Sequence, residues 1–445
     1  MIRLRDFATS DSPAVQAQLD RLAALSLPQG RFGLETIHAL LDRLGNPQRS
    51  LPPTFHVAGT NGKGSTCAFL RAMLEAQGLT VHAATKPHLV RCNERIRIAD
   101  KLIEDDHLAA LLGEVLDASE DLAPSFFEVT AAATFLAFHR EPADACIIEV
   151  GLGGRFDATN VLDGQAACGI ANLGIDHEGF LLVPEDGVPQ EPLCRIAFEK
   201  AGIARPGVPL VTQSYRPDMT RTIIEQAMLV GAKTAIRDLD WFAEAGTGIA
   251  YRDRFGELDL PLPALAGAHQ ADNAALAVAM LRHQKQVDVS DEAIAQGIVG
   301  ARWPARLQQL GAGPLTDLIP GKTVLLDGAH NRAAAEALAA AMASRAPFDL
   351  VFGLMGNRRI DDVLTPLLPL VRKIYIVPVP GHSGHDPRTV AAWAQANMFR
   401  ECYPAPSVTQ ALQWLDNRAE PDTVLIAGSL YLAGEVLRLN REWPD

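Results

Sequence analysis

The chain has 445 residues, 48% hydrophobic and 21% charged, with 53 acidic against 40 basic side chains and a formal net charge of −13. These proportions fit a folded chain of two or three domains and exclude both disorder and a broad nucleic-acid-binding surface. Any anionic ligand must be held by local positive charge.

The N-terminus, Met1-Ile2-Arg3-Leu4-Arg5-Asp6, lacks the apolar run of a secretion signal. No segment approaches the roughly 18 apolar residues of a membrane span. The six cysteines, Cys67, Cys92, Cys146, Cys168, Cys194 and Cys402, are dispersed without zinc-like spacing, as in a reducing compartment. The expectation is a cytoplasmic protein.

Two helical patterns, Val15 to Leu25 and Leu34 to Leu44, are separated by Pro28-Gln29-Gly30 and read as scaffold. After them Pro53-Thr54-Phe55-His56-Val57 is a short apolar strand, and Cys67 to Leu74 has helical spacing. Between lies Gly59-Thr60-Asn61-Gly62-Lys63-Gly64-Ser65-Thr66. Strand, glycine turn and helix in this order form a phosphate loop, whose backbone N–H groups and helix dipole favour anionic oxygens. Lys63 is placed near the β- and γ-phosphates. The extra glycine between Lys63 and the hydroxyl pair departs from the usual G-x-x-x-x-G-K-[ST] spacing.

A second strand, Thr80 to Ala84, leads into Lys86-Pro87-His88-Leu89-Val90-Arg91-Cys92-Asn93-Glu94-Arg95-Ile96-Arg97, read as a loop with three arginines. Helices are expected over 104–117 and 126–139, the second opening with Phe126-Phe127-Glu128. Ala145 to Val150 is a buried-type strand carrying Glu149 at its end, where a nucleotide-bound Mg²⁺ requires an oxygen ligand. The run Gly151 to Asn160 follows, then a strand Ala167 to Leu173 ending before Asp176-His177. Residues 181–194 read as an irregular loop before Glu199-Lys200 and a strand from Val208 to Thr212. Strands that each end in polar residues imply one shared site at the edge of a parallel sheet.

Arg302-Trp303-Pro304-Ala305-Arg306 reads as a linker (302–306) between an ATP-binding domain, 1–301, and a smaller α/β domain, 307–445. The latter has strands at Thr323 to Leu326, Leu350 to Gly353, Lys373 to Val377 and Val424 to Ala427. His382 and His385 are flanked by Gly and Ser and read as an exposed loop rather than a metal site. The predicted class is α/β: a phosphate-loop domain with a mostly parallel sheet, then a Rossmann-like domain.

The residues His56 to Thr66, Pro87 to Arg91, Asn93 to Arg95, Phe127-Glu128, Glu149 to Asn160, Asp176-His177, Glu199 to Ile203, His269-Gln270 with Asn273, Trp303-Pro304 with Arg306, Leu326 to Asn331 and Gly428 to Leu432 stand in an order that resembles folylpolyglutamate synthase and dihydrofolate synthase. These are Mur-ligase-like ATP-dependent amide ligases. The resemblance implies addition of L-glutamate to dihydropteroate and to reduced folates such as tetrahydrofolate, through an acyl phosphate. ATP and Mg²⁺ are the implied cofactors, and a monomer the implied state.

By that likeness the phosphate loop, Asn273, Arg306 and Asp327 hold nucleotide. Ser65, Glu149 and His177 are metal ligands, and Lys63, His177, Lys200 and His330 serve catalysis. The family's lysine at the position of Lys200 is often carbamylated. Lys86, Pro87, His88, Arg91, Arg95, Phe127, Asp157 and Ser429 are the implied substrate contacts, with Phe127 stacking on a pterin, Asp157 accepting from its N–H groups and Ser429 near glutamate.

Two departures stand out. Lys86 replaces the family's usual serine at a metal-proximal position, and its ammonium is expected to contact phosphate and substitute for part of a metal's charge. The 181–194 loop exceeds the family's spacer. A folate-only ligase, a muropeptide ligase and a nucleotide-binding relative that has lost catalysis stay open as alternatives.

Overall fold

The structure is a computed structural model describing residues 9–25, 33–415 and 420–444. The N-terminal hexapeptide and the Pro28-Gln29-Gly30 break lie outside the described residues.

Eight strands form the larger sheet: β1 (Thr54–Ala58), β2 (Val81–Ala84), β3 (Ile96–Ile98), β4 (Lys101–Leu102), β5 (Ala145–Glu149), β6 (Ala167–Ile170), β7 (Pro209–Thr212) and β8 (Lys233–Ile236). Their spatial order is β4-β3-β2-β5-β1-β6-β7-β8. All neighbours from β2 to β8 run parallel, and β3 and β4 add an antiparallel edge. Every residue of β1, β2, β5 and β6 is buried. That is why these strands read as continuous apolar runs: helices cover both faces.

Helices α1 (Pro13–Ala24), α2 (Glu35–Arg43), α4 (Asp105–Ala118) and α5 (Phe126–Arg140) close one face. The phosphate-loop helix α3 (Lys63–Ala76) packs in the core of the other face. With α6 (Glu178–Leu181), α7 (Pro192–Ala201) and α8 (Pro217–Val230) preceding them, α9 (His269–His283) and α10 (Asp291–Gly300) complete that core. Gly297 of α10 lets the helix backbone lie against Met73 of α3, a contact any Cβ would prevent.

A three-stranded antiparallel meander, β9 (Trp241–Ala245), β10 (Ile249–Asp253) and β11 (Gly256–Leu260), was not foreseen in the sequence reading. Its buried Trp241, Ala243, Ile249, Tyr251 and Leu260 extend the same core.

The second sheet comprises β12 (Gln308–Gln309), β13 (Thr323–Leu326), β14 (Phe348–Phe352), β15 (Val371–Ile376), β16 (Cys402–Pro404) and β17 (Thr423–Ala427), in the order β12-β13-β17-β14-β15-β16. Only β12 is antiparallel. Residues 302–306 connect the two sheets without regular structure.

Two segments differ from the sequence reading. Residues 86–97 are not wholly loop, because a 3-10 turn at Cys92–Arg95 feeds β3, which pairs with β2. Residues 181–194 begin at the end of α6 and finish in α7, which Pro192 starts and Glu191 caps through Cys194 N at 2.7 Å.

Candidate active site

Register places the chemistry. In the parallel pair β1/β5, Val57 lies opposite Glu149, so the carboxylate emerges two residues below the turn that begins at Gly59. On the other flank of β1 the Asn172 carbonyl accepts from the N–H groups of Thr60 (2.8 Å) and Asn61 (3.2 Å). Those two amides are therefore engaged within the protein. The N–H groups free to meet an anion are those from Gly62 onward, at the start of α3, where the helix dipole points.

Glycine is required twice here. Gly62 sits at φ 85° and caps α3, and a Cβ on it would strike Asn273 Oδ1. A Cβ on Gly64 would come within 2.7 Å of the Trp303 indole. Asn273 of α9 and Trp303 of the connection thus lie directly on the loop. Lys63 Nζ bends back to donate to the Gly59 (3.0 Å) and Thr60 (3.3 Å) carbonyls.

A cavity of about 3060 Å³ opens from this loop, enough for two ligands of roughly 300–1,000 Å³ each. It is lined by Gly59 to Ser65, Lys86, Pro87, Arg95, Phe127, Glu149, Asp157, His177, Lys200 and Asn273 from the first sheet's side, and by Arg306, Asp327, His330 and Ser429 from the second. Three expected residues fall outside it. Thr66 is fully buried in α3. His88 is buried and accepts from Arg95 Nε at 2.8 Å, so it orients that arginine. Arg91 faces the end of the chain, its guanidinium 5.7 Å from the Trp443 ring centre and bonded to the Pro444 carbonyl at 3.4 Å. Leu89 and Val90 between them pack on the second domain's core. The arginine-rich segment is thus split between cavity wall and interdomain wedge, because the 3-10 turn Cys92–Arg95 redirects the chain between Arg91 and Arg95.

The capping box at Ser125, with Glu128 Oε2 accepting from Ser125 N at 2.7 Å and Ser125 Oγ from Glu128 N at 3.3 Å, starts α5 and presents Phe126 and Phe127 to the cavity. Phe127 is 40% exposed and lies edge-on to Phe126, over which the Arg95 guanidinium sits at 5.3 Å.

Glu149 is buried, and burial pushes its pKa up against the pull of Lys63 and the N–H of Lys86, which donates to Oε2 at 3.1 Å. Burial also raises the Asp157 pKa, but Lys86 and the hydrogen bonds from Thr159 and Leu152 reverse that and leave it lowered overall. Gly151 N (3.0 Å) and Leu152 N (2.8 Å) donate to one oxygen, and Thr159 N (3.0 Å) and Thr159 Oγ1 (2.5 Å) to the other. Because the Thr159 hydroxyl proton is spent on Asp157, His56 Nε2, 2.8 Å from Thr159 Oγ1, must itself be the donor. Burial lowers His56 to about 3, consistent with a neutral ring.

Lys200 is brought down to about 7 by burial, helped by Lys63. Its neighbour Glu199 belongs to a separate ion network with Arg155 (2.9 Å) and Arg195 (3.0 Å). Both arginines also hold Glu185, at 2.6 and 2.9 Å. The long 181–194 segment is therefore pinned as a cavity wall by Glu185.

Burial lowers His177 to about 4, with Asp176 opposing. His330 is likewise lowered to about 4 by burial, with Arg358 adding to the effect. His330 Nδ1 donates to the Gly328 carbonyl at 2.8 Å, which leaves the Nε2 lone pair available. Asp327 accepts from Leu307 N and Ala329 N, both at 2.8 Å, and burial raises its pKa against nearby Arg306. Ser429 caps the helix Leu430–Asn440 through Tyr431 N at 3.1 Å.

Several site residues escaped the sequence reading. Arg358, in the loop after β14, forms an ion pair with Asp176 across the cleft. Asn331 pairs with Asn61 of the phosphate loop. His382 does not sit in an exposed loop: it is half-buried, lines the cavity and stacks on Tyr431 at 3.9 Å. The available signal was position, since each follows the C-terminal end of a parallel strand.

Among the described residues the one compact His/Cys/Asp/Glu group is Glu191, Cys194 and Asp218, outside the cavity, with both carboxylates paired to Arg216. The cavity wall offers the Glu149 carboxylate together with the Ser65 hydroxyl and the phosphate loop. That suits Mg²⁺, which binds through one or two carboxylates and completes its shell with phosphate oxygens and water.

Comparison with known proteins agrees. Residues 315–430 match the family model "Mur ligase, glutamate ligase domain". Dihydrofolate synthetase of Saccharomyces cerevisiae is 30% identical over 434 residues, covering 92% of this chain and 98% of that protein. Dihydrofolate synthase/folylpolyglutamate synthase of Bacillus subtilis is 31% identical, covering 91% and 94%. Escherichia coli FolC in complex with DHPP and ADP superposes with a TM-score of 0.83 at 31% identity, over 96% of this chain and 97% of that one. The Yersinia pestis enzyme complexed with AMPPNP and Mn gives 0.80 at 30%, over 95% and 97%. With its phosphate loop, strand-end carboxylate and two-domain cleft, the chain belongs to the dihydrofolate synthase/folylpolyglutamate synthase family of ATP-dependent ligases.

Proposed function

We propose that the protein is bifunctional, joining L-glutamate to dihydropteroate and further glutamates to reduced folates at the expense of ATP. The observation that carries this reading is the single cavity running from the phosphate loop, past Glu149, to the Phe127 pocket on one side and to His330 and Ser429 on the other. Relatives of matching length named for both activities support it.

A carboxylate is a poor acyl donor because oxide would have to leave. An oxygen of the acceptor carboxylate therefore attacks the γ-phosphorus of ATP, the bond to the β,γ-bridging oxygen breaks, and ADP departs. The glutamate amine then attacks the acyl carbon, and phosphate leaves with the C–O electron pair as the amide forms.

Two anions must meet in the first step, so Lys63 and the N–H groups from Gly62 onward hold and neutralise the phosphates. Ser65, Glu149 and His177 would hold a divalent cation, which supplies charge neutralisation at the transferred phosphoryl group. Asn273, Arg306 and Asp327 place the nucleotide between the domains. Phe127 stacks on the pterin, with Arg95 and Asp157 beside it. His330, neutral with its Nε2 lone pair open, accepts a proton from the glutamate amine, and Ser429 lies beside that amino acid. Lys200 as its carbamate would add a negative group near the cation site.

The test is phosphate release by the purified protein with ATP, Mg²⁺ and glutamate, adding dihydropteroate or tetrahydrofolate in parallel. Release with both is expected. Release with tetrahydrofolate alone would reduce the enzyme to a polyglutamate ligase, and release with neither would overturn the reading.

A further inference from the structure

Lys86 sits at the end of β2, its backbone held against the end of β5 by the bond to Glu149 Oε2. Its side chain runs over Gly151, where a Cβ would lie 3.3 Å from Lys86 Cδ, 3.5 Å from Nζ and 3.2 Å from Asp157 Oδ2. The ammonium and the Asp157 carboxylate thus share one side of Gly151, yet Lys86 Nζ makes no hydrogen bond or ion pair within the described residues. Asp157 is already satisfied by four donors of its own chain, so its charge faces Lys86 without quenching the lysine's three N–H groups. The phosphate loop has a cation of its own, Lys63, whose ammonium is bonded to the Gly59 carbonyl and also acts on Glu149.

The position has a chemical meaning that depends on the ligase reading above. Dihydropteroate and a folate differ by a glutamyl residue between ring and reacting carboxylate. A subsite fixed on the ring cannot present both carboxylates to one phosphorus; a subsite fixed on the carboxylate can. Lys86 lines the same cavity as the phosphate loop and Phe127, and it is within electrostatic reach of both Lys63 of the loop and Arg95, which sits over Phe126.

We propose that Lys86, poised between Glu149 and Asp157, is the clamp that binds the reacting carboxylate of either acceptor and aims one oxygen at the γ-phosphorus. The other carboxylate oxygen takes the N–H···O bond from Nζ, and the ammonium keeps its proton throughout. As the acyl phosphate forms, the same N–H follows the acyl oxygen. Lys86 thereby acts on the acceptor, not on the nucleotide.

The test is a binding cycle without turnover, using dihydropteroate and its analogue in which the carboxylate is replaced by carboxamide. In the wild-type protein the amide should bind roughly 10- to 100-fold more weakly, the value of a hydrogen bond between charged groups. In Lys86→Met that preference should fall to about twofold or less, while affinity for a non-hydrolysable ATP analogue with Mg²⁺ stays within about twofold of wild type. Lys86→Gln serves as a second neutral variant if the methionine protein does not fold, and Lys86→Arg should keep the preference for the acid. A preference that persists in the neutral variants, or a loss confined to nucleotide affinity, overturns the clamp alone. Wild-type protein that binds neither dihydropteroate nor its amide overturns the ligase reading and the clamp with it.

Discussion

Asn61 and Asn331 exchange amide hydrogen bonds across the cleft, Nδ2 of the first to Oδ1 of the second at 3.1 Å and the reverse at 3.0 Å. One belongs to the phosphate loop, and the other caps helix Arg332–Met342, its Oδ1 also accepting from Ala334 N at 3.0 Å. A shift in the second domain is therefore felt at the nucleotide loop through two bonds. Asn331→Asp separates the two roles, since the carboxylate still caps the helix but can no longer donate to Asn61. Activity should fall about tenfold, on the order of one lost buried hydrogen bond, with the melting temperature nearly unchanged. Steady-state kinetics beside thermal unfolding decide it, and a matching loss of stability would show that the pair only holds the fold.

Arg358 and Asp176 form the second cross-cleft link, with Asp176 buried and Arg358 mostly so. Arg358→Met strands a carboxylate in a poorly solvated place, so it should cost about 1–3 kcal/mol. Adding Asp176→Asn should recover part of that stability without restoring activity. Urea unfolding of the single and double variants checks the order.

Lys200, at about 7, is largely a free amine at pH 8. A free amine adds CO₂ to give a carbamate and a proton, and the ammonium form does not. Enzyme equilibrated with ¹³C-bicarbonate at pH 8 should show a protein-bound carbamate resonance that Lys200→Gln lacks, and the resonance should fade as pH drops below about 7. Wild-type protein without that signal would leave Lys200 as a plain lysine.

His56 and His330 titrate near 3 and 4 in the folded protein, burial being the first cause in each. An unfolded histidine takes its proton near 6.5. Between about 6.5 and 4 the unfolded state therefore binds more protons, and stability must fall as pH falls, by about 1.4 kcal/mol per pH unit for each group. Denaturant titrations from pH 7.5 to 5 should show this slope, and His56→Gln should flatten it by one group's share.

The phosphate loop was legible because its signal is local: strand, glycines and helix start within fourteen residues of sequence. Glu149 was legible because an acid at the end of an apolar strand is a conspicuous placement. The meander at Trp241 to Leu260 was not foreseen, since its short strands carry charged residues such as Glu244, Arg252 and Asp259 on their open face. The cross-cleft partners were hidden for another reason. Asn61 and Asn331 are 270 positions apart, and Asp176 and Arg358 182, so only the packing of two separately wound sheets brings them together. That Arg91 and His88 do not line the cavity was not legible, because a residue's place in a motif says nothing about which way its side chain turns.

The wedge formed by Leu89 and Val90 also bears on how the halves of such proteins can be exchanged. Gly434, in the helix Leu430–Asn440, lies against the Leu89 carbonyl so closely that no Cβ would fit. A chimera taking the phosphate-loop half from one relative and the C-terminal half from another must draw residues 86–95 and that helix from the same parent. Otherwise the misfit would arise at the seam and be read out at Lys86 and Arg95, in the wall of the cavity. Crossover points chosen in the 302–306 connection alone would miss this constraint.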